Sequence, residues 1–157
     1  MKKVKVISLI VTFFVMALIF FFSSQPAEVS SQTSSGITKI VANIIASCSE
    51  RLNPDYVYRA IHTLIRKTAH FTLFFVLGLS VVNTASVVFS LKSVKLMVCS
   101  VVFCILYAMS DELHQMVVPG RGAMVSDVVI DTLGSIFAVF MYMFIKRIYI
   151  RRKKNDI

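Results

Sequence analysis

Residues 96–115 read LMVCSVVFCILYAMSDELHQ. The run is apolar, apart from one serine, as far as Met109. Ser110, Asp111, Glu112, Leu113, His114 and Gln115 then follow with no helix breaker between. At about 1.5 Å per helical residue the apolar part covers about 21 Å, against a hydrocarbon core about 30 Å thick. A regular helix therefore carries Asp111, Glu112 and His114 below the membrane surface. An ionised group at such depth costs about 2.5–3.5 kcal/mol. These side chains must face protein, a cation or enclosed water, so the stretch reads as a membrane helix with a polar site at one end.

The rest of the chain supplies partners of the same kind. Apolar blocks lie at about 6–22, 68–91, 96–116 and 126–146. The apolar fraction is 57 % and the charged fraction 16 %, whereas soluble domains sit near 45–50 % and about 25 %. A soluble enzyme and a disordered chain are excluded. So is a disulfide framework: the cysteines are three, Cys48, Cys99 and Cys104, with no C-x-x-C pair. The expected fold is all-α, a four-helix transmembrane bundle forming a single domain over residues 1–157. The first block follows a basic start, as in a signal peptide. Its length and the lack of a small-x-small site beside Pro26 predict an uncleaved span.

Lys and Arg give an orientation. With the N-terminus in the cytoplasm, the inner segments hold 11 of the 17 basic residues and one acid, and the outer segments hold 6 basic residues and 7 acids. Both termini are expected inside the cell. The net charge of +9 is thus a matter of topology. No basic patch is interleaved with aromatics, so nucleic acid is not an expected partner.

The outer loop is then residues 23–65. Ile37, Ile40, Val41, Ile44, Ile45, Cys48 and Leu52 recur at three and four, predicting an extracytoplasmic amphipathic helical segment. It either lies in the membrane interface or packs on the bundle. Asn53-Pro54-Asp55 is a helix start, and no breaker follows. One helix should run from Pro54 through the second span, with Arg59, His62, Arg66 and His70 on one face. On the fourth helix Ser126 is the expected cap, and Asp127 and Asp131 lie one turn apart. Gly134 leaves room for a neighbouring helix.

These groups converge from different helices at one depth: Ser23, Ser24 and Gln25, then Arg66, Lys67 and His70, then Asp111, Glu112, His114 and Gln115, then Arg121, Asp127 and Asp131. Asp131 and Asp111 are expected to couple to Arg66 or His70 across helices. Three readings stand. Asp111, His114, Asp127 and Asp131 can hold a divalent cation or supply acid–base catalysis. Alternatively, Ser24, Gln25, Arg66, Lys67, His70, Glu112, Gln115 and Arg121 line a binding pocket for a lipid headgroup or an antibiotic's lipid tail. In the third reading the polar groups only lock the bundle.

At these residues the chain resembles the VanZ-like family of bacterial membrane proteins. The pieces are Ser23-Ser24-Gln25-Pro26, Arg66-Lys67-x-x-His70-Phe71, Ser110-Asp111-Glu112-x-His114-Gln115, Val118-Pro119-Gly120-Arg121 and Asp127-x-x-x-Asp131-x-x-Gly134. They stand in family order and spacing. The resemblance implies a multi-pass protein of the bacterial cell membrane, with membrane lipids, a lipid-linked envelope precursor or a lipopeptide antibiotic as partner. It also implies an antibiotic-resistance phenotype, since the family is named for a member linked to resistance against the glycopeptide teicoplanin. It supplies no reaction. Many members carry an acid three residues after the histidine; Leu73 stands there in this chain, so no role for such an acid carries over.

Overall fold

The computed structural model describes residues 2–26 and 54–155, with single positions 36, 38, 40, 41, 44 and 45 between them. Four helices make up the bundle: α1 (Lys2–Ser23), α2 (Pro54–Val87), α3 (Ser93–Gln115) and α4 (Val125–Asn155). Each is long and apolar enough to cross a membrane, and no strand occurs among the described residues. Phe13, Phe14, Leu106, Phe140 and Phe144 all point outward and are more than half exposed. Apolar surface on every side of a small bundle is what lipid, not water, covers.

The helices run past the apolar blocks that announce them. α2 starts at Pro54 and continues for 34 residues. It stops at Val87, short of the expected 91, although Val88, Phe89 and Leu91 are apolar. The chain turns there because Ser90 takes φ 55° and the Leu91 amide donates to the Ala85 carbonyl. α4 extends to Asn155, beyond the expected 146. Its basic tail stays helical because cations suit the negative end of a helix dipole. Ser126 is not the cap of α4: it sits inside the first turn, and the Asp127 amide donates to the Met124 carbonyl.

α2 is the hub. It packs on α1, α3 and, most extensively, α4. Val15 and Ile19 of α1, Phe74, Leu77 and Val81 of α2, and Cys104 and Ala108 of α3 form the main core. Where α2 meets α4 the backbones nearly touch. A β-carbon on Gly78 would lie 2.8 Å from the Ser135 carbonyl oxygen and 2.9 Å from the Ala138 β-carbon. One on Gly134 would collide with the Phe71 carbonyl oxygen. Ser135 Oγ donates across the seam to the Phe74 carbonyl at 3.1 Å.

Toward the end that carries both termini, α1 and α2 are joined by hydroxyls. Ser8 and Thr84 meet at 2.6 Å, Thr12 and Thr84 at 2.9 Å, and Asn83 Nδ2 donates to Ser8 at 3.0 Å. Interhelical hydrogen bonds of this kind hold membrane helices where no hydrophobic force acts between them. The two cysteines of α3 are free thiols, Cys104 buried in the core and Cys99 exposed; Cys48 lies outside the described residues.

Of the amphipathic stripe between α1 and α2, positions 40, 41, 44 and 45 are helical. Val41 packs against Val57 and Ile61 on the extension of α2, while Ile40 and Ile44 point away, 63 % and 60 % exposed. Ile37, Cys48, Leu52 and the Asn53 cap lie outside the described residues.

Candidate functional site

The site end of the bundle is built by the last turns of α1 and α3 and the middle of α2 opposite the first turns of α4. On α1, Ser8, Thr12, Val15, Ile19 and Ser23 follow one another at three and four and form its buried face. That face delivers the Ser23 hydroxyl, fully buried, to α3. Ser23 Oγ donates to Asp111 Oδ2 at 2.8 Å. Gln115, one turn along from Asp111, donates Nε2 to the same oxygen at 2.9 Å and to Ser23 Oγ at 3.3 Å. One carboxylate oxygen is thus held by two donors.

His114 turns toward the other side of α1. Its ring stacks on Phe20 at 4.5 Å between centroids, and Nε2 meets Ser24 Oγ at 3.0 Å. Ser24 already donates its only hydroxyl hydrogen to the Phe20 carbonyl at 2.7 Å. It therefore accepts from His114, which fixes the proton on Nε2. Gln25 is half-buried, and its backbone N–H donates to the Phe22 carbonyl. Glu112, also buried, accepts the Met124 amide and so ties the loop before α4 to α3.

Across the α2–α4 seam the charges pair in register. Asp127 takes two cations of α2: Arg66 Nη2 at 3.2 Å and Lys67 Nζ at 3.0 Å. One turn further in on both helices, His70 Nδ1 faces Asp131 Oδ2 at 3.5 Å. The Gly134–Phe71 approach lies immediately beyond that pair and sets its spacing. Of the couplings the sequence predicts, His70 with Asp131 is present. Arg66 pairs with Asp127 instead, because Asp131 lies a full turn deeper than the guanidinium.

Arg121 reaches back from the loop before α4, where Gly120 makes the turn with φ 74°. Its Nη2 donates to the Phe22 carbonyl at 3.2 Å. Burial, then the like charge of Arg66, lowers the pKa of the guanidinium below its usual value, against the pull of Asp111 and Glu112. Arginine remains charged at any physiological pH.

Several buried polar atoms here have no hydrogen-bond partner among the described residues: Asp111 Oδ1, Asp131 Oδ1, His70 Nδ1 and Arg121 Nη1. Asp111 is 4 % and Asp131 1 % exposed. His70, Asp111 and Asp131 each offer one ligand-capable atom, and these atoms lie within 4.8 Å of one another. Two carboxylates and an imidazole so arranged can hold a cation or pass a proton.

Of the metal candidates read from the sequence, Asp111 and Asp131 thus come together, joined by His70 rather than by His114 or Asp127. His114 is spent on Ser24 and Phe20, and Asp127 on two cations. Ser23, which the sequence places at this depth without a role, is a residue that holds Asp111. Its signal is the buried stripe of α1, which ends on it.

The sequence model of the VanZ/LLP1 family matches residues 8–146, which span all four helices and every site residue named above. No curated protein and no solved structure matches the chain.

Proposed function

The chain belongs to the VanZ/LLP1 family, and we propose that its polar end is an outer-leaflet pocket that binds, or acts on, the charged headgroup of a lipid-linked or other cell-envelope ligand. The observation that carries this is the set of buried atoms on His70, Asp111, Asp131 and Arg121 that have no hydrogen bond among the described residues. A bundle that used these residues only as glue would satisfy them, since each unmet buried polar group costs about 1–3 kcal/mol. Groups on three helices and a loop that the described residues leave unmet mark a site completed by something else. The Lys and Arg bias favours both termini in the cytoplasm and this end at the outer leaflet of the bacterial cell membrane. Arg121 supplies the free donor for an anionic group such as a phosphate, and Arg66 and Lys67 rim the same side. In this reading a lipid-linked envelope precursor or a lipopeptide antibiotic is the ligand, and teicoplanin susceptibility is one phenotype through which it acts.

Native mass spectrometry of the purified protein, with a polyprenyl phosphate added back after delipidation, tests the proposal. The parent should bind one lipid per chain, and Arg121→Gln should lose at least 10-fold in affinity while keeping its unfolding temperature. Binding that is equal in the two proteins would refute it.

The alternative is a purely structural lock, favoured by the closed triangle of Ser23, Asp111 and Gln115 and by the doubly paired Asp127. It requires site substitutions to lower stability and any envelope phenotype in proportion.

A further inference from the structure

We infer that His70, Asp111 and Asp131 form a binding site for one divalent transition-metal ion, Zn²⁺ or Mn²⁺ in class, at the floor of the pocket. The inference rests on the reading just given, that the unpartnered atoms face a ligand, and names the part of that ligand that touches them.

Three observations converge. The donor atoms are close enough to share an ion, all lying within 4.8 Å of one another. The same side chains hold atoms without a hydrogen bond among the described residues: Asp111 Oδ1, Asp131 Oδ1 and His70 Nδ1, the last with Asp131 Oδ2 facing it at 3.5 Å. The two aspartates are among the most buried polar residues of the chain. Charge then selects the occupant. Arg66 and Lys67 are committed to Asp127, and the charge of Arg121 is shared between Asp111 and Glu112. A metal-ligating imidazole is neutral and ligating carboxylates are ionised, so with the ion bound the two aspartates are balanced by its two positive charges in a low-dielectric setting. One imidazole nitrogen with carboxylate oxygens suits Zn²⁺ or Mn²⁺ better than Ca²⁺, which takes six to eight oxygens.

The surroundings are those of a metal site. Ser23 and Gln115 both donate to Asp111 Oδ2, which leaves Oδ1 as its free ligand atom. Outer hydrogen bonds of this kind orient ligating carboxylates. With three protein ligands, the ion would keep open positions for a phosphoryl oxygen or water.

The test is metal analysis of the full-length protein in detergent, followed by chelation and titration with Zn²⁺, Mn²⁺, Mg²⁺ and Ca²⁺ while the unfolding temperature is read. One Zn²⁺ or Mn²⁺ per chain is expected, with a rise in unfolding temperature. Asp131→Asn, Asp111→Asn and His70→Ala should each weaken the ion at least 100-fold. Ser23→Ala, which removes one of the two donors that hold the Asp111 carboxylate, should weaken it about 10–100-fold. Asp127→Asn and His114→Gln should leave metal affinity unchanged. Should the triad variants fail to fold, Co²⁺ added to the parent decides: a visible absorption band that Zn²⁺ displaces supports the site. No retained ion, no thermal response to added ions and no Co²⁺ band together overturn it, as does an equal response in Asp131→Asn. If the ion is absent yet polyprenyl phosphate binding still depends on Arg121, the metal is wrong and the pocket stands. If the ion binds through the triad and no lipid does, the metal site stands and the headgroup reading falls.

Discussion

Replacing Gly134 by alanine perturbs the site without touching any of its side chains. The added β-carbon would run into the Phe71 carbonyl oxygen, with the Phe71 carbonyl carbon at 3.2 Å and the Phe75 amide nitrogen at 3.3 Å behind it. All three are backbone atoms, so no side chain can swing aside, and α2 and α4 must part here by up to roughly an ångström. Overpacking of this kind costs about 1–3 kcal/mol. Alanine returns up to about 1 kcal/mol in helix preference. A net loss of about 1–2 kcal/mol is expected, or about 2–8 °C in unfolding temperature for a chain of this size. The same movement lengthens the 3.5 Å His70–Asp131 separation, so ligand binding should fall further than stability. Gly122→Ala is the control, since a β-carbon there meets nothing within 4 Å. The assay is thermal unfolding in detergent, with polyprenyl phosphate binding on the same samples. If Gly134→Ala is as stable as Gly122→Ala and binds equally well, the seam does not set the site and the reasoning fails.

Other expectations follow from the pairings and the charge pattern. A double-mutant cycle between Arg66→Gln and Asp127→Asn should give a coupling of about 1 kcal/mol, modest because the Arg66 side chain is 34 % exposed. The Arg66 and Asp131 cycle should be nearly additive, and strong coupling there would place the guanidinium a turn deeper than described. Thr84→Val removes the hydroxyl shared by Ser8 and Thr12 and should cost about 1 kcal/mol in thermal unfolding; an unchanged midpoint would show that those hydroxyls find other partners. In a background without native cysteines, a thiol-reactive probe outside the cell should label Ser34→Cys and miss Asn155→Cys, and labelling of both would overturn the orientation.

The bundle is legible because each span is a block of apolar residues, and the polar ends of three spans show at once that they are not plain anchors. The end of α2 is hidden: Val88, Phe89 and Leu91 continue the apolar pattern, and only the positive φ of Ser90 stops the helix. Periodicity puts Arg66 with His70 on one face and Asp127 with Asp131 on another. Which of one face meets which of the other depends on the register of α2 against α4, fixed by backbone contacts at Gly78 and Gly134. For the same reason sequence reading groups His114 with Asp111, three residues before it, whereas the fold turns His114 toward Phe20 and brings His70 in from α2. The burial of Ser23 is invisible locally, since a serine at a helix end is ordinary in water and in membranes alike.

The claim that this end of the bundle is built for a ligand, and not to lock helices, is tested most directly by the unfolding temperature of Asp131→Asn against the parent, both stripped by chelation and delipidated. Asp131 is almost wholly buried, with one oxygen unpartnered among the described residues and the other 3.5 Å from His70. If a ligand completes the site, then without it the carboxylate is a buried charge poorly compensated, and the neutral amide should match the parent or unfold at a higher temperature. If the residue is half of a structural pair, its loss should cost about 3–5 kcal/mol, and a midpoint lowered by many degrees would contradict the account.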